Sequence, residues 1–215
     1  PYIKGWTSYP FPLFYRNTLV ITTLAVIGIV CSSSLVAYGF ARLRFRGRDA
    51  LFLVLLSTMM LPSQVTMVPI YIGFARLGLI NTFVPLVLPL YFGVPFHIFL
   101  LRQFFLTLPR ELDDAAKIDG AGYFAIFWRI CVPLATPAIT AVAIFVFVYN
   151  WNDFALPLIY LQTQSLWTVP IGLYQFIGST YMDLTSLMAM STLALVPQIV
   201  IFFVAQKHFV QGIVM

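Results

Sequence analysis

An acidic stretch between Pro109 and Gly120 has the residue types and the spacing to dock on another protein. Proline is tolerated in the first turn of a helix, and acidic side chains directly after it favour the positive end of the helix dipole. Asp113 and Lys117 stand four residues apart, at the spacing of a helix-supporting ion pair, and Gly120 supplies a stop. The sequence therefore predicts a helix over residues 109–119.

The centre of this predicted helix is low in profile. Ala115 and Ala116 carry only methyl side chains, so the groove of another protein could approach closely. Glu111 and Asp114 could make charge-assisted hydrogen bonds with such a partner. The alternative for Asp113 and Asp119 is that they are ordinary solvated acids at the helix. A second, apolar helix rich in Phe and Trp is predicted to follow.

No residue pattern in the sequence has the spacing of an active site or a metal site. The phosphate-binding pattern GxxxxGK[ST] does not occur, so the chain cannot cradle ATP itself. Cys31 and Cys131 are a hundred residues apart in apolar surroundings, and His97 and His208 each stand alone. The sequence predicts a chain that is not an enzyme and holds no cofactor of its own.

The composition places these residues in a membrane protein. Hydrophobic residues make up 61% of the 215 residues and charged residues 9%, against roughly 25% charged in soluble domains. The 12 basic and 7 acidic side chains are too few to cover a water-exposed surface. A soluble fold is excluded, and the lipid bilayer is the expected environment.

The charges divide the chain into six uncharged gaps of 23 to 29 residues, each long enough to cross a bilayer. The gap after Asp153 is interrupted by Pro, Gly and Gln, so residues 157–184 are predicted as an outer loop. The chain is thus predicted to be an all-α polytopic bundle forming a single transmembrane domain, 1–215. Its five spans are predicted at 18–40, 51–72, 80–101, 134–156 and 185–206.

The distribution of Lys and Arg predicts the orientation. Five spans place nine basic residues on one side and three on the other, and the richer side is cytoplasmic. Residue 1 then lies outside, and Lys207 and the C-terminus lie in the cytoplasm. Residues 102–133, with eight of the 19 charges, form a cytoplasmic loop between the third and fourth spans. The odd number of spans predicts a sixth one before Pro1.

Prolines and polar residues within the spans indicate where a substrate could pass. Pro62 and Pro197 remove backbone donors that lipid cannot replace, which predicts kinked helices packed against protein. Hydroxylated substrates require polar partners facing a watery seam. The candidates near these prolines and near the end of the fourth span are Gln64, Thr66, Asn150, Asn152 and Gln198. Anchoring at the membrane interface is the alternative near that span end.

Residues 114–133 resemble the cytoplasmic signature of the membrane subunits of binding-protein-dependent ABC importers. That signature reads Glu-Ala-Ala, three residues, Gly, nine residues, Ile, one residue, Leu-Pro. The chain has Asp114, Ala115, Ala116, Gly120, Ile130, Val132 and Pro133 at this spacing. It departs from the signature in having Asp for Glu, which shortens the reach of the acid, and Val for Leu, which is a mild change.

The resemblance covers nearly the whole chain and is to the carbohydrate-uptake branch. The stretches at 77–105 and 149–161 are similar to the second permease of maltose-type and glycerol-3-phosphate-type systems. Six spans are usual in such families, with a C-terminal tail that contains Gly and Lys. Both ends of this chain therefore look trimmed.

The resemblance implies an importer subunit that forms half of the pathway for a sugar, oligosaccharide or polyol. Its partners would be a second permease, two ATPases that bind ATP and Mg, and a periplasmic or lipid-anchored solute-binding protein, with no nucleic acid. The location would be the bacterial inner membrane. The 109–120 helix would transfer ATPase closure to the spans, through residues Glu111, Asp114, Ala115, Ala116, Gly120, Ile130 and Pro133.

The resemblance also implies that the outer loop meets the binding protein, although a loop lying on its own bundle is an equal alternative. An ion-coupled secondary transporter is the main competing hypothesis for the whole chain. It would be expected to carry ionisable coupling residues inside the spans, and the predicted spans lack Lys, Arg, Asp and Glu in their interiors.

Overall fold

The computed structural model describes residues 1–178 and 183–213, with side chains placed up to Val204 and at Gln206. Every regular element within these ranges is helical, which confirms the all-α prediction. The α-helices are α1 (Tyr2–Ser8), α2 (Phe11–Arg42), α3 (Arg48–Ser57), α4 (Ser63–Arg76), α5 (Val84–Val87), α6 (Pro95–Thr107), α7 (Glu111–Ile118), α8 (Tyr123–Ile126), α9 (Val132–Leu134), α10 (Thr136–Trp151), α11 (Ala155–Tyr160), α12 (Val169–Gly178) and α13 (Leu184–Ile213).

Three helical segments among the described residues are long and apolar enough to cross a membrane. They are Phe11–Arg42, Val84–Thr107 and Leu184–Val204. The first extends beyond the predicted span 18–40 at both ends. The second is displaced from the predicted 80–101, because the helix begins only at Val84 and a positive φ of 87° at Gly93 interrupts it before Pro95 begins α6.

Two of the five predicted spans overlap bent helix pairs rather than single long helices. The predicted span 51–72 divides into Arg48–Met60 and Ser63–Arg76, which meet at 94°. Pro62 explains the break, because a proline disfavours the helical conformation of the residue before it, and Leu61 is extended with φ −78° and ψ 118°. The count of five is reached when each bent pair is taken as one span.

The second bent pair, Tyr123–Leu134 and Thr136–Trp151, begins within the predicted cytoplasmic loop and overlaps the predicted span 134–156 only in part. Helix α10 begins at Thr136 and already ends at Trp151, and the segment Tyr123–Leu134 meets it at 78°. Helix α2 is the central element of the bundle and packs against α6 and α10. Small residues such as Ala25, Ala37 and Ala41 are fully buried on α2, which allows the neighbouring helices to approach closely.

The predicted outer loop, residues 157–184, contains α12 and the end of α11. It lies on its own bundle. The Asn17 side chain donates to the carbonyl oxygens of Ser165 and Trp167 at 2.8 and 3.0 Å, and Thr18 Oγ1 accepts from the Val169 amide at 2.8 Å. These bonds fix the region to the start of α2. Whether it also meets a binding protein stays a prediction.

Candidate functional site

The predicted acidic helix is present as α7, Glu111–Ile118, and is shorter than the predicted 109–119 because Pro109 lies before its first turn and Arg110 is its N-cap residue. Gly120 ends it in the left-handed conformation, with φ 83°. Its amide donates to the Lys117 carbonyl at 3.0 Å, and the Ala121 amide donates to the Ala116 carbonyl at 2.9 Å. This pair of bonds is a Schellman motif, which stops the helix and reverses the chain. The predicted stop at Gly120 is confirmed.

The predicted pairing of Asp113 with Lys117 is wrong. Lys117 Nζ instead contacts Asp114 Oδ1 at 3.1 Å, one residue further along the helix. Both side chains of this pair are largely exposed, so we expect it to add little stability. Asp113 faces the opposite way, into the bundle, where it is 8% exposed.

Asp113 forms a buried ion pair with Arg42, the last residue of α2. Arg42 Nε lies 3.3 Å from Asp113 Oδ2, and the Arg42 side chain is 2% exposed. Its two terminal nitrogens donate to the carbonyl oxygens of Leu108 and Pro109 at 2.9 and 3.1 Å. One guanidinium therefore holds both the chain entering α7 and the first turn of that helix. Sequence reasoning counted Arg42 only as a cytoplasmic charge.

Tyr38 provides a second anchor one helical turn before Arg42. Its hydroxyl donates to the carbonyl oxygen of Tyr123, the first residue of α8, at 3.0 Å. Residues four apart on a helix share a face, so Tyr38 and Arg42 contact the entry and the exit of the α7 region from the same side of α2. The end of α2 and the α7 region are thus joined as one rigid unit.

The two faces of α7 differ in their surroundings. Ala116 is 9% exposed and belongs to the main core cluster, together with Ala41, Phe105 and Cys131. The other face is open, with Ile118 87% exposed and the Asp114 side chain 71% exposed. Glu111 and Ala115 are also exposed. The helix is anchored on one side and presents an acid, a methyl group and an aliphatic side chain on the other.

The segment after Gly120 continues this open surface. Tyr123, Phe124 and Trp128 are 62%, 66% and 51% exposed. Beneath them a π-helical turn, Phe127–Cys131, contributes to the main core, and Ile130 within it packs there partly buried. Pro133 is exposed in α9, two residues before the bend into α10. We call the exposed residues Asp114, Ala115, Ile118, Tyr123, Phe124 and Trp128 the docking surface.

A cavity of about 630 Å³ lies between α2, α6 and α10. Its lining is mainly apolar and aromatic, with polar groups from Asn150, Asp153 and His97. The Nδ1 atom of His97 is buried without a hydrogen-bond partner among the described residues. A cavity of this size could hold a small molecule of a few hundred daltons.

The five predicted pathway residues occupy three different places. Asn150 lines the cavity. Asn152 and Gln198 bond to each other, with the Asn152 Nδ2 atom donating to Gln198 Oε1 at 3.1 Å, and so they join α10 to α13. Gln64 and Thr66 lie at the start of α4 and do not line the cavity. The structure therefore does not gather the predicted set into one site.

The chain matches the family model of the binding-protein-dependent transport system inner membrane component over residues 18–215. It belongs to this family. It is 35% identical to the probable ABC transporter permease protein YurM of Bacillus subtilis, over 99% of this chain and 71% of that protein. It is 35% identical to the arabinooligosaccharides transport system permease protein AraQ of the same organism, over 99% of this chain and 78% of that protein. It is 34% identical to the sn-glycerol-3-phosphate transport system permease protein UgpE of Yersinia pestis, over 98% of this chain and 75% of that protein.

The fold of this permease is also that of a solved importer. It matches a chain in the crystal structure of a bacterial ABC transporter involved in the import of the acidic polysaccharide alginate, with a TM-score of 0.82. The match covers 97% of this chain and 78% of the other, at 23% identity. The resemblance to ABC importer permeases is confirmed, and the chain is a transport subunit of the membrane rather than an enzyme.

Proposed function

We propose that this permease is half of the translocation pathway of an ATP-driven importer for a sugar, an oligosaccharide or a related polyol. The names of its relatives, which include arabinooligosaccharide and sn-glycerol-3-phosphate permeases, support this substrate class. The partners are a second permease, two ATPases that bind ATP and Mg, and a solute-binding protein. The location is the bacterial inner membrane, with the C-terminus in the cytoplasm.

The coupling role is supported above all by the two faces of α7, one packed in the core of the bundle and the other exposed. The docking surface exposes four large apolar side chains, Ile118, Tyr123, Phe124 and Trp128, and exposed apolar patches mark contact sites for other proteins or for the membrane. The docking surface therefore takes an ATPase subunit. Because Arg42 and Tyr38 join this region rigidly to α2, closure of the ATPases moves a spanning helix rather than a loose loop.

The cavity between α2, α6 and α10 supplies this chain's share of the pathway. Aromatic rings such as Phe145 and Tyr149 offer faces on which sugar rings stack, and Asn150 and Asp153 offer hydrogen-bonding groups for hydroxyls. The lining includes residues of α2, whose far end is clamped to α7. Movement of α7 is thereby transmitted to the cavity wall.

Uptake of labelled sugars into proteoliposomes that hold the purified assembly tests the function. We expect uptake to require ATP inside the vesicles and the binding protein outside, and to stop when the ATPases are inactivated. An imposed proton or sodium gradient should not replace ATP. Uptake that persists on an ion gradient without the ATPases would show the secondary transporter instead.

Cysteine labelling of a chain with Cys31 and Cys131 replaced tests the orientation and the pathway together. A membrane-impermeant maleimide should reach a cysteine at Gln164 from outside and one at Lys117 only from inside. A cysteine at Asn150 should change its labelling rate several-fold when the ATPases are trapped with nucleotide, because the cavity then changes sides. Reversed labelling of positions 164 and 117 would disprove the orientation. A labelling rate at position 150 that does not change with trapped nucleotide would disprove the role of the cavity in the pathway.

A further inference from the structure

A basic pocket lies where the α2–α3 turn meets the start of α7. It has a volume of about 520 Å³ and is lined by Arg44, Arg48 and Arg110, with Asp49 as the one acidic side chain among its lining residues. Asp49 is already paired, since its Oδ1 atom lies 2.9 Å from Arg48 Nε. Within the described ranges, Arg44 and Arg110 take part in none of the ion pairs. Three guanidinium groups face one carboxylate, so the pocket attracts an anion.

The backbone adds to this positive potential. Helix α3 begins at Arg48, and no side chain caps its amino end. Gly47 before it adopts φ 81°, and the first residues of α3 also line the pocket. Free amide groups at a helix start carry a partial positive charge and bind anionic oxygen atoms. Arginine side chains and backbone amides are together suited to a phosphate group.

Directly beyond the pocket, α3 presents an apolar face. Leu51, Leu53 and Val54 are 54%, 66% and 62% exposed, and Phe52 is the buried residue of this helix. With a rise of about 1.5 Å per residue, these side chains lie roughly 5 to 9 Å along the axis from Arg48. A cationic pocket therefore adjoins an exposed hydrophobic surface on a helix of a candidate span.

We propose that this pocket binds the phosphate headgroup of an anionic phospholipid, whose acyl chains lie along the exposed face of α3. The headgroup would contact Arg44, Arg48 and Arg110, and the acyl chains would contact Leu51 and Val54. The continuous apolar face favours a lipid over an acidic protein surface, which would leave these side chains uncovered. It also favours a lipid over free phosphate, which would use the pocket alone. Basic pockets beside membrane helices commonly take such headgroups.

Native mass spectrometry of the full chain, purified with the subunits that accompany it, tests this site. Arg44→Gln/Arg110→Gln should lower the retention of phosphatidylglycerol relative to phosphatidylcholine by about tenfold. Arg46→Gln/Arg129→Gln is the matched control, since it also removes two exposed arginines from the predicted cytoplasmic side, neither of which lines the pocket. This control should retain the lipid as the unaltered chain does. Equal loss in both pairs would overturn the proposal in favour of general charge attraction.

Two further arms separate the other occupants. Leu51→Ser/Val54→Ser should weaken the retention of phosphatidylglycerol, while inorganic phosphate alone should not displace the lipid from the unaltered chain. If phosphate displaces it and the serine pair has no effect, the pocket is an anion site rather than a lipid site. If the variant Arg44→Gln/Arg110→Gln loses a protein subunit but retains as much lipid as the unaltered chain, the occupant is an acidic protein partner. Either result would overturn the proposal.

Discussion

Arg42→Gln is expected to lower ATP-driven uptake by at least about tenfold while the chain still inserts in the membrane. The substitution leaves Asp113 as a buried and unpaired carboxylate and releases the carbonyl oxygens of Leu108 and Pro109. Breaking a buried pair by removing one partner typically costs about 3–5 kcal/mol. We expect the α7 region to detach from α2, so that ATP hydrolysis by the assembly no longer drives uptake. Uptake and hydrolysis are measured together in proteoliposomes.

Two variants separate the clamp from a general effect of charge. Lys117→Gln removes the exposed pair with Asp114 on the same helix and should leave uptake within about twofold of the unaltered chain. Arg42→Gln/Asp113→Asn should recover part of the activity, because no unpaired charge remains buried. Arg42→Lys should be nearly as damaging as Arg42→Gln, since one ammonium group cannot reach three oxygen atoms in a fixed fork. Normal uptake by Arg42→Gln would refute the clamp.

Gly120→Leu is expected to reduce both the copurification of the ATPases and uptake by about 5- to 30-fold. Two effects act together. Gly120 has a φ of 83°, a conformation that costs an L-residue about 1–2 kcal/mol. A Cβ atom at this position would meet no other atom within 4 Å, so the new side chain points into open space beside the docking surface. The strain and the added volume both act on the contact with the ATPase.

Gly122→Leu is the matched control, because its Cβ atom would also meet nothing within 4 Å, whereas its φ is −74°. If backbone conformation dominates, Gly122→Leu should keep most of the uptake, and Gly120→Asn should recover more than Gly120→Leu, since asparagine tolerates positive φ. If added volume dominates, both leucine variants should fail alike. Full ATPase binding and uptake by Gly120→Leu would count against docking at α7.

The sequence was sufficient for the local features of the coupling region. The proline, the acids and the glycine around α7 act on their own turn of helix, so their order along the chain predicts a helix that the structure has at Glu111–Ile118. The sequence also showed that the chain is a membrane protein, since this depends only on the length of its apolar runs. The break at Pro62 follows from the same local rule, but its 94° angle depends on how the two helices pack.

The partner of Asp113 could not be read from the sequence. Lys117 stands four residues from it and Arg42 stands 71 residues away, and helical spacing alone favoured Lys117. The packing of α7 on α2 decided otherwise, because it buries Asp113 beside the end of α2 and leaves Lys117 in solvent with Asp114. A buried carboxylate needs a cation that is itself desolvated, which only the tertiary fold brings near.

The predicted pathway residues show the same division between what the sequence predicts and what the tertiary structure decides. The sequence by itself determined that this is an all-helical membrane chain with a short acidic helix, because hydrophobicity, helix signals and motif spacing act over one segment at a time. Which polar residues share a space was decided by the tertiary structure, which places Asn150 with His97 and Asp153 in one cavity, joins Asn152 to Gln198 and leaves Gln64 apart. Such groupings depend on the crossing of distant helices, and that crossing is set by the packing of whole surfaces.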